Sequence, residues 1–235
     1  MKKREFLKSL LLAPFIPYIS NAGILDVFKT KNKKSPLPPE GKFTPAEKLF
    51  IVDIKGTPEK AKYYYENIDK YRLKINGNIE NKLNLTFDEI KKLPFKIHEQ
   101  IFECVSNPPG GDKIGRIKVK GIPFSELFKI VKPKENTIDI IFRALDDYST
   151  SVTYKYAKEF DPILVYEINY DEDGKILKNL PLDHGFPLRI ICPDKWGYKS
   201  AKWIKEIVFV DFDYKGYWEE RGWSDRAKYK VDYFE

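Results

Sequence analysis

Two short stretches of the chain gather the residue types that do chemistry. In the first, Phe102-Glu103-Cys104-Val105-Ser106-Asn107-Pro108-Pro109-Gly110-Gly111, a cysteine stands at the end of an alternating strand and a Pro/Gly loop follows it. Such a place is where a rigid scaffold hands over to a site. A thiolate is a soft, strongly donating ligand suited to a high-valent transition metal, and it ionises when the metal is near. The same residue also suits a buried structural thiol, or a disulfide with Cys192, the second of two cysteines, in an oxidising compartment. In the second stretch, Asp183-His184-Gly185-Phe186-Pro187-Leu188-Arg189 is followed closely by Trp196-Gly197-Tyr198-Lys199-Ser200-Ala201-Lys202-Trp203. Arg189, Lys199 and Lys202 with the Ser200 hydroxyl put three cations and a donor beside a glycine that lets backbone approach. That set suits an oxyanion such as a phosphate monoester, which arginine can hold bidentately. Singly, each lysine reads as a solvated surface charge; the grouping is more specific than its parts.

The elements that must position these residues are mostly strands. Alternation over Ile97–Val105, Ile114–Val119, Thr137–Phe142 and Ile163–Ile168 predicts four of them, and Tyr71–Gly77, Leu188–Cys192 and Trp203–Phe212 predict three more. A helix is expected over Pro58–Tyr71. A second, shorter one should start at Thr86-Phe87-Asp88-Glu89, which has the spacing of a capping box. Asp171-Glu172-Asp173-Gly174 supplies a hairpin-type turn. The fold class is therefore α+β, a β-rich mixed domain with short peripheral helices.

With 235 residues, 42% of them hydrophobic and 15% aromatic, the chain can bury one sizeable core or two small ones, and a single catalytic domain over 43–235 is expected. The formal charge of +7 is not spread evenly: residues 1–48 hold ten Lys/Arg against four Asp/Glu, leaving 32 against 31 for the rest. The body is nearly neutral, and a nucleic-acid groove is not expected. Residues 1–22 combine a basic start, an apolar run of about eleven residues from Ser9 to Ile19 and small residues at Ser20 and Ala22, the pattern of a bacterial export signal. Within it, Lys3-Arg4-Glu5-Phe6-Leu7-Lys8 resembles the twin-arginine signal, with Lys3 at the first arginine's place, a route taken by proteins already folded around a cofactor. A flexible tether follows over 23–42. No GxGxxG follows a strand, and neither a phosphate-loop lysine motif nor a CxxCH is present. With His98 and His184 as the two histidines, a multi-histidine zinc site is also excluded.

The order Glu103-Cys104-Val105-Ser106-Asn107, Val119-Lys120-Gly121-Ile122-Pro123, Asp147-Tyr148-Ser149-Thr150-Ser151, Val165-Tyr166-Glu167-Ile168-Asn169, Asp183 to Arg189, Gly197 to Trp203 and Gly216-Tyr217-Trp218-Glu219 is similar to the oxidoreductase molybdopterin-binding domain. That family contains the sulfite oxidases and the periplasmic protein-methionine-sulfoxide reductases, and the resemblance runs from about Tyr71 to Gly222. It implies the sulfite-oxidase molybdopterin-binding fold and one molybdenum-molybdopterin cofactor per chain, with Cys104 as the protein ligand to the metal. Arg189, Ser200 and Lys202 fall on positions that hold the cofactor, chiefly its phosphate, with Lys199 grouped among them. His184 falls where the family sets His or Asn against the pterin. Tyr148 matches the active-site tyrosine of the sulfite oxidases.

The implied activity is two-electron oxygen-atom transfer on a small oxyanion or sulfoxide substrate, in a monomer exported to the periplasm or beyond. No haem domain is expected in the chain, so electrons pass to or from a separate partner, a c-type cytochrome or a membrane haem protein. Sulfite oxidases hold sulfite with arginines, one of them early in the domain. The comparable stretch here, Phe50 to Pro58, has Asp53 and Lys55 and no arginine, and an acidic group there would repel sulfite. A rival from another class is a non-catalytic exported binding domain in which Cys104 pairs with Cys192. The roles of Asn107 and Asp53 are left open by sequence.

Overall fold

A computed structural model describes residues 37–176 and 179–230. The expected export signal, and the expected tether up to residue 36, lie outside the described residues.

An arm enters first. Thr44 is stitched to the sheet behind it, its N–H donating to Arg116 O at 2.8 Å and its hydroxyl accepting from Arg116 N at 3.1 Å. The Asn169 side-chain amide adds a bond to Thr44 O at 2.8 Å. After the arm, α1 covers Glu59–Glu66. The helix expected to continue to Tyr71 breaks at Asn67, whose backbone N–H and side-chain amide both donate to Tyr63 O. A side chain that offers the last turn's carbonyl a local partner favours helix termination. One 3-10 turn, Ile68–Lys70, completes the connection to β1, Arg72–Gly77.

β2 (Leu83–Thr86) pairs antiparallel with β1 and runs into α2 (Phe87–Lys91). The capping box is formed: Thr86 Oγ1 accepts from Glu89 N at 3.2 Å and the Glu89 carboxylate accepts from Thr86 N at 2.8 Å. The remaining elements are β3 (Lys96–Glu103), β4 (Ile114–Pro123), α3 (Phe124–Val131), β5 (Asp139–Ala144), β6 (Ser149–Thr153), α4 (Tyr154–Phe160), β7 (Ile163–Ile168), β8 (Arg189–Ile191) and β9 (Ile204–Val210). They form a five-stranded sheet, β2-β1-β9-β5-β6, and a four-stranded sheet, β3-β4-β7-β8. β1 and β9 pair in parallel, while the other pairs are antiparallel. The expected α+β class is the observed one.

The four-stranded sheet is buried on both faces along β7 and β8, and alternation sends their side chains to two different cores. Leu164, Tyr166 and Ile190 join the cluster shared with the five-stranded sheet. Ile163, Val165 and Ile191 join a second one that contains Phe102 from β3 and Ala46 and Leu49 from the arm, and the register shift between β4 and β7 brings Ile168 to it as well. Arg189, two residues before Ile191, is thereby placed on the Phe102 face. Register, rather than proximity in sequence, brings the two chemically loaded stretches together.

Candidate functional site

β3 stops two residues sooner than alternation implied, so that Cys104 is the first residue past the strand, partly buried and not locked into the ladder's interior. The loop that presents it is rigidly braced. Cys104 N donates to Lys113 O at 3.0 Å, and Cys104 O accepts from Asn107 N at 2.9 Å. The Asn107 side chain, whose role sequence left open, spans the loop: its amide donates to Glu103 Oε1 and its carbonyl accepts from Lys113 N, both at 2.9 Å. A methyl group added at Gly111 would sit 2.4 Å from Asn107 Oδ1, so a glycine is required for the brace to close. Tyr229 OH donates to the other Glu103 oxygen at 2.5 Å. The thiol's side-chain neighbour is Ser106 Oγ at 3.2 Å.

The second stretch meets this loop at Gly197, where a Cβ would lie 3.0 Å from Glu103 O. Gly197–Lys199 forms a 3-10 turn, and the Tyr198 carbonyl in it accepts from Tyr148 OH at 2.5 Å. Tyr148 and Cys104 therefore flank one turn. Burial, and after it the Glu219 carboxylate, hold the Tyr148 phenol well above its ordinary range, so it stays protonated and acts as a donor.

Beyond the turn lies a nest of cations. The Arg189 guanidinium, 4% exposed, stacks over the Phe102 ring at 5.0 Å and donates to His184 O at 3.2 Å and Ser200 O at 3.4 Å. Its Nε is buried without a hydrogen-bond partner. Lys202 Nζ donates to Asp183 O at 3.0 Å and to Asp53 Oδ2 at 3.4 Å, and lies 4.1 Å over the Trp203 ring. Between Arg189 and Lys202 runs Gly185, at φ +109°, where a Cβ would come within 3.1 Å of Arg189 Cβ and 3.2 Å of Lys202 Cα. Ser200 Oγ accepts from Cys192 N at 3.1 Å, which leaves its own proton to donate.

All three basic groups of the nest are pushed toward neutrality. Burial lowers Arg189 to about 10. Burial and then the Arg189 charge lower Lys202 to about 8, with Asp53 opposing. Burial and then Arg189 bring His184 to about 4, opposed by Asp183 and by a backbone hydrogen bond at Ala46. Buried cations that depress one another, with an orphaned guanidinium N–H among them, are what a bound oxyanion would relieve. The donor set thus fits a phosphate group held by Arg189, Ser200 and Lys202 beside His184. A cleft of about 390 Å³ opens beside His184, lined by Ala46, Ile51, Pro181 and Asp183 among others.

Two sequence expectations change. Lys199, grouped with the phosphate-binding cations, has a fully buried side chain whose ammonium donates to Ser151 O at 3.0 Å, Glu219 Oε1 at 2.5 Å and Asp225 Oδ1 at 2.8 Å. An ammonium has three protons, and all three are committed to the scaffold, so the geometry lends a phosphate role at Lys199 no support. Cys104 and Cys192 are both free thiols, which removes the disulfide on which the non-catalytic alternative relied. Cys192 belongs to the core, its thiol raised to about 12 by burial. Among the described residues no group of three or more His, Cys, Asp and Glu side chains converges, so a metal at Cys104 would take its other ligands from outside the described residues. Sequence reasoning missed Phe102, Glu103, Glu219 and Asp225 as supports. The strand period pointed to Phe102, but nothing local marked the acids.

The model of the family described as oxidoreductase molybdopterin binding domain matches residues 60–218. The mitochondrial sulfite oxidase of Drosophila melanogaster is 31% identical over 206 residues, covering 77% of this chain and 33% of that protein. The protein-methionine-sulfoxide reductase catalytic subunit MsrP of Campylobacter jejuni is 27% identical over 174 residues, covering 69% of this chain and 57% of that protein. The chain thus spans about a third of one curated relative and a little over half of the other. The crystal structure of the sulfane dehydrogenase SoxCD from Paracoccus pantotrophus matches with a TM-score of 0.65 over 97% of this chain and 59% of that one, at 18% identity, a likeness of fold.

Proposed function

The chain belongs to the oxidoreductase molybdopterin binding domain family, and we propose from that membership that it is an exported, molybdenum-dependent enzyme of two-electron oxygen-atom transfer. Its substrate would be small, an oxyanion or a sulfoxide-type oxide. Its electrons would be exchanged with a separate c-type cytochrome or membrane haem protein. Export rests on the twin-arginine-like pattern of residues 1–22. The relatives are named for opposite directions of transfer, one for oxidising sulfite and one for reducing methionine sulfoxide, and both directions are compatible with the same residues.

The observation that carries the proposal is the pairing of a braced thiol just past the end of β3 with an anion nest whose Arg189 rests on Phe102 of the same strand. When bound, the molybdenum cofactor supplies the two-electron redox change and the oxygen-atom transfer. The chain's own part is to hold and orient. Cys104 offers the thiolate ligand, kept in place by the Glu103–Asn107–Lys113 brace. Arg189, Ser200 and Lys202 hold the phosphate, with Arg189 contributing the N–H that has no internal partner. His184, neutral at ordinary pH because its folded value is about 4, packs beside them without adding a third positive charge. Tyr148 keeps its proton and donates it to Tyr198 O, which holds its phenol at the turn that meets the Cys104 loop.

Metal analysis of the purified, natively exported protein should give about one molybdenum per chain. Cys104→Ser should abolish turnover with an artificial electron carrier while leaving the circular dichroism and melting curve unchanged. Full activity in that variant would overturn the ligand assignment. A panel of sulfite, methionine sulfoxide and other oxides on cofactor-loaded protein decides the direction.

A further inference from the structure

The arm between Leu49 and Pro58 runs beside the anion nest and meets Lys202 directly. Phe50 stacks on Phe102, centroids 5.4 Å apart and planes 10° from parallel, and Phe102 is the ring on which the Arg189 guanidinium rests. Three residues on, Asp53 reaches Lys202, side chains 19% and 11% exposed. Asp53 Oδ1 also accepts from Gly56 N at 2.6 Å, so the carboxylate ties the arm's own turn, with Gly56 at φ +76°, to the cation. Ile51 lines the cleft beside His184. The root of the arm is fixed by Thr44 and the burial of Ala46 and Leu49, whereas Ile51, Val52 and Asp53 lie outward. A fixed root and a tip held by the Asp53–Lys202 pair, one ring stack and the long, exposed Lys55–Asp147 pair at 4.0 Å make a segment whose tip can be released without unfolding its base.

The charges decide what would release it. Lys202 sits among Arg189 and His184 and has one carboxylate within ion-pair distance, that of Asp53. The Arg189 Nε beside it has no acceptor. A carboxylate can satisfy one part of such a nest. A phosphate, with more charge and more acceptor oxygens, can satisfy Lys202, the Ser200 hydroxyl and Arg189 together. The two anions would compete for Lys202, since the acid lies on the arm and the remaining donors lie in the folded body.

We propose that Asp53 is the resident counter-anion of this site and that it sets the site's affinity: its carboxylate neutralises Lys202 until an oxyanion takes its place, and the exchange loosens the arm tip from 50 to 57. The inference rests on the reading of Arg189, Ser200 and Lys202 as a phosphate site and adds a residue on which that reading does not depend. It assigns the acidic residue in the early stretch to control of anion binding at Lys202.

The test uses the full chain purified without cofactor and inorganic phosphate as the probe, with binding measured by calorimetry and arm opening by hydrogen exchange. Asp53→Asn, nearly isosteric and able to keep the turn bond to Gly56, should bind phosphate about five- to tenfold more tightly than the parent, the scale of losing one partly exposed ion-pair competitor. Adding Lys202→Met to Asp53→Asn should erase the gain. In the parent, saturating phosphate should speed exchange of the amides between 50 and 57 and leave those of Ala46 and Leu49 unchanged. Equal or weaker phosphate binding by Asp53→Asn would overturn the competitor role while the anion site stands. Binding without any change in exchange would overturn the release of the arm. Absence of phosphate binding in both proteins would overturn the anion site and, with it, the inference.

Discussion

Lys199 and Lys202 stand three residues apart and live in opposite electrostatic worlds. Around Lys199 every ammonium proton has a partner in two carboxylates and a backbone carbonyl, with Thr150 Oγ1 adding a bond to Glu219 Oε1 at 2.5 Å and Lys215 a second cation to Asp225 at 3.2 Å. Around Lys202 the ion-pair partner among the described residues is Asp53 at 3.4 Å, Arg189 keeps an unpartnered N–H, and the ordinary pKa values of all three basic groups are pulled down. The difference teaches how to separate a structural cation from a binding one. A buried charge whose partners come from the fold is scaffold, and a buried charge left short of partners is waiting for a ligand.

That contrast is most easily broken through stability. Lys199→Met should cost about 3–5 kcal/mol in denaturant unfolding, because Glu219 is left in the interior without its cation and Asp225 loses one of its two, keeping Lys215. Lys202→Met should cost less than about 1 kcal/mol, since its one carboxylate partner lies near the surface. It should instead lower retained cofactor and phosphate affinity. Equal losses from the two substitutions would erase the distinction.

A smaller effect follows from the braced loop. Asn107→Ala removes the bonds to Glu103 and Lys113 and should cost about 1–3 kcal/mol. It should also reduce the metal content of exported protein, because the segment carrying Cys104 loses its crosstie. Normal stability with normal metal content would return Asn107 to an unassigned role.

A further expected effect is in pH dependence. His184 has a folded value of about 4 against an ordinary 6.5, so the unfolded chain binds its proton first. The contribution of the neutral imidazole is complete above 6.5 and is lost as pH falls toward and through 4. Lys202, at about 8 against 10.5, follows the same sign: stability should rise as pH climbs from 8 to 10.5, where the unfolded state still holds the proton that the folded state has released. Unfolding curves of His184→Gln should show a shallower decline between pH 6.5 and 4 than the parent, and those of Lys202→Met a flatter profile above 8. Parallel profiles would mean that the nest is better solvated than its burial implies.

Much of the site was legible because its signals are local. Alternation ending at a Pro/Gly loop marked Cys104, and a glycine among Arg189, Ser200 and Lys202 marked an anion site. The long strands were legible for the same reason, their side chains repeating with the pleat. Short elements were not. α3 follows directly on Pro123 and α4 on Thr153, each a strand's last residue, and neither is long enough for its period to stand out. β6 is five residues of Ser, Thr and Val, whose burial comes from packing against neighbours rather than from composition.

The sequence by itself determined that a soft thiolate stands at a strand's end, that an oxyanion-binding set lies further along, and that the ordered motifs belong to one family. It could not say which lysine faces which partner. The acids that close Lys199 lie 20 and 26 residues away, and the one that meets Lys202 lies 149 residues away. Charge interactions depend on distance through space and on the water removed from around them, not on separation along the chain. Only the packing of β8, the 197–199 turn and the arm against one another fixed those distances, and so decided which cation supports the fold and which is free to bind.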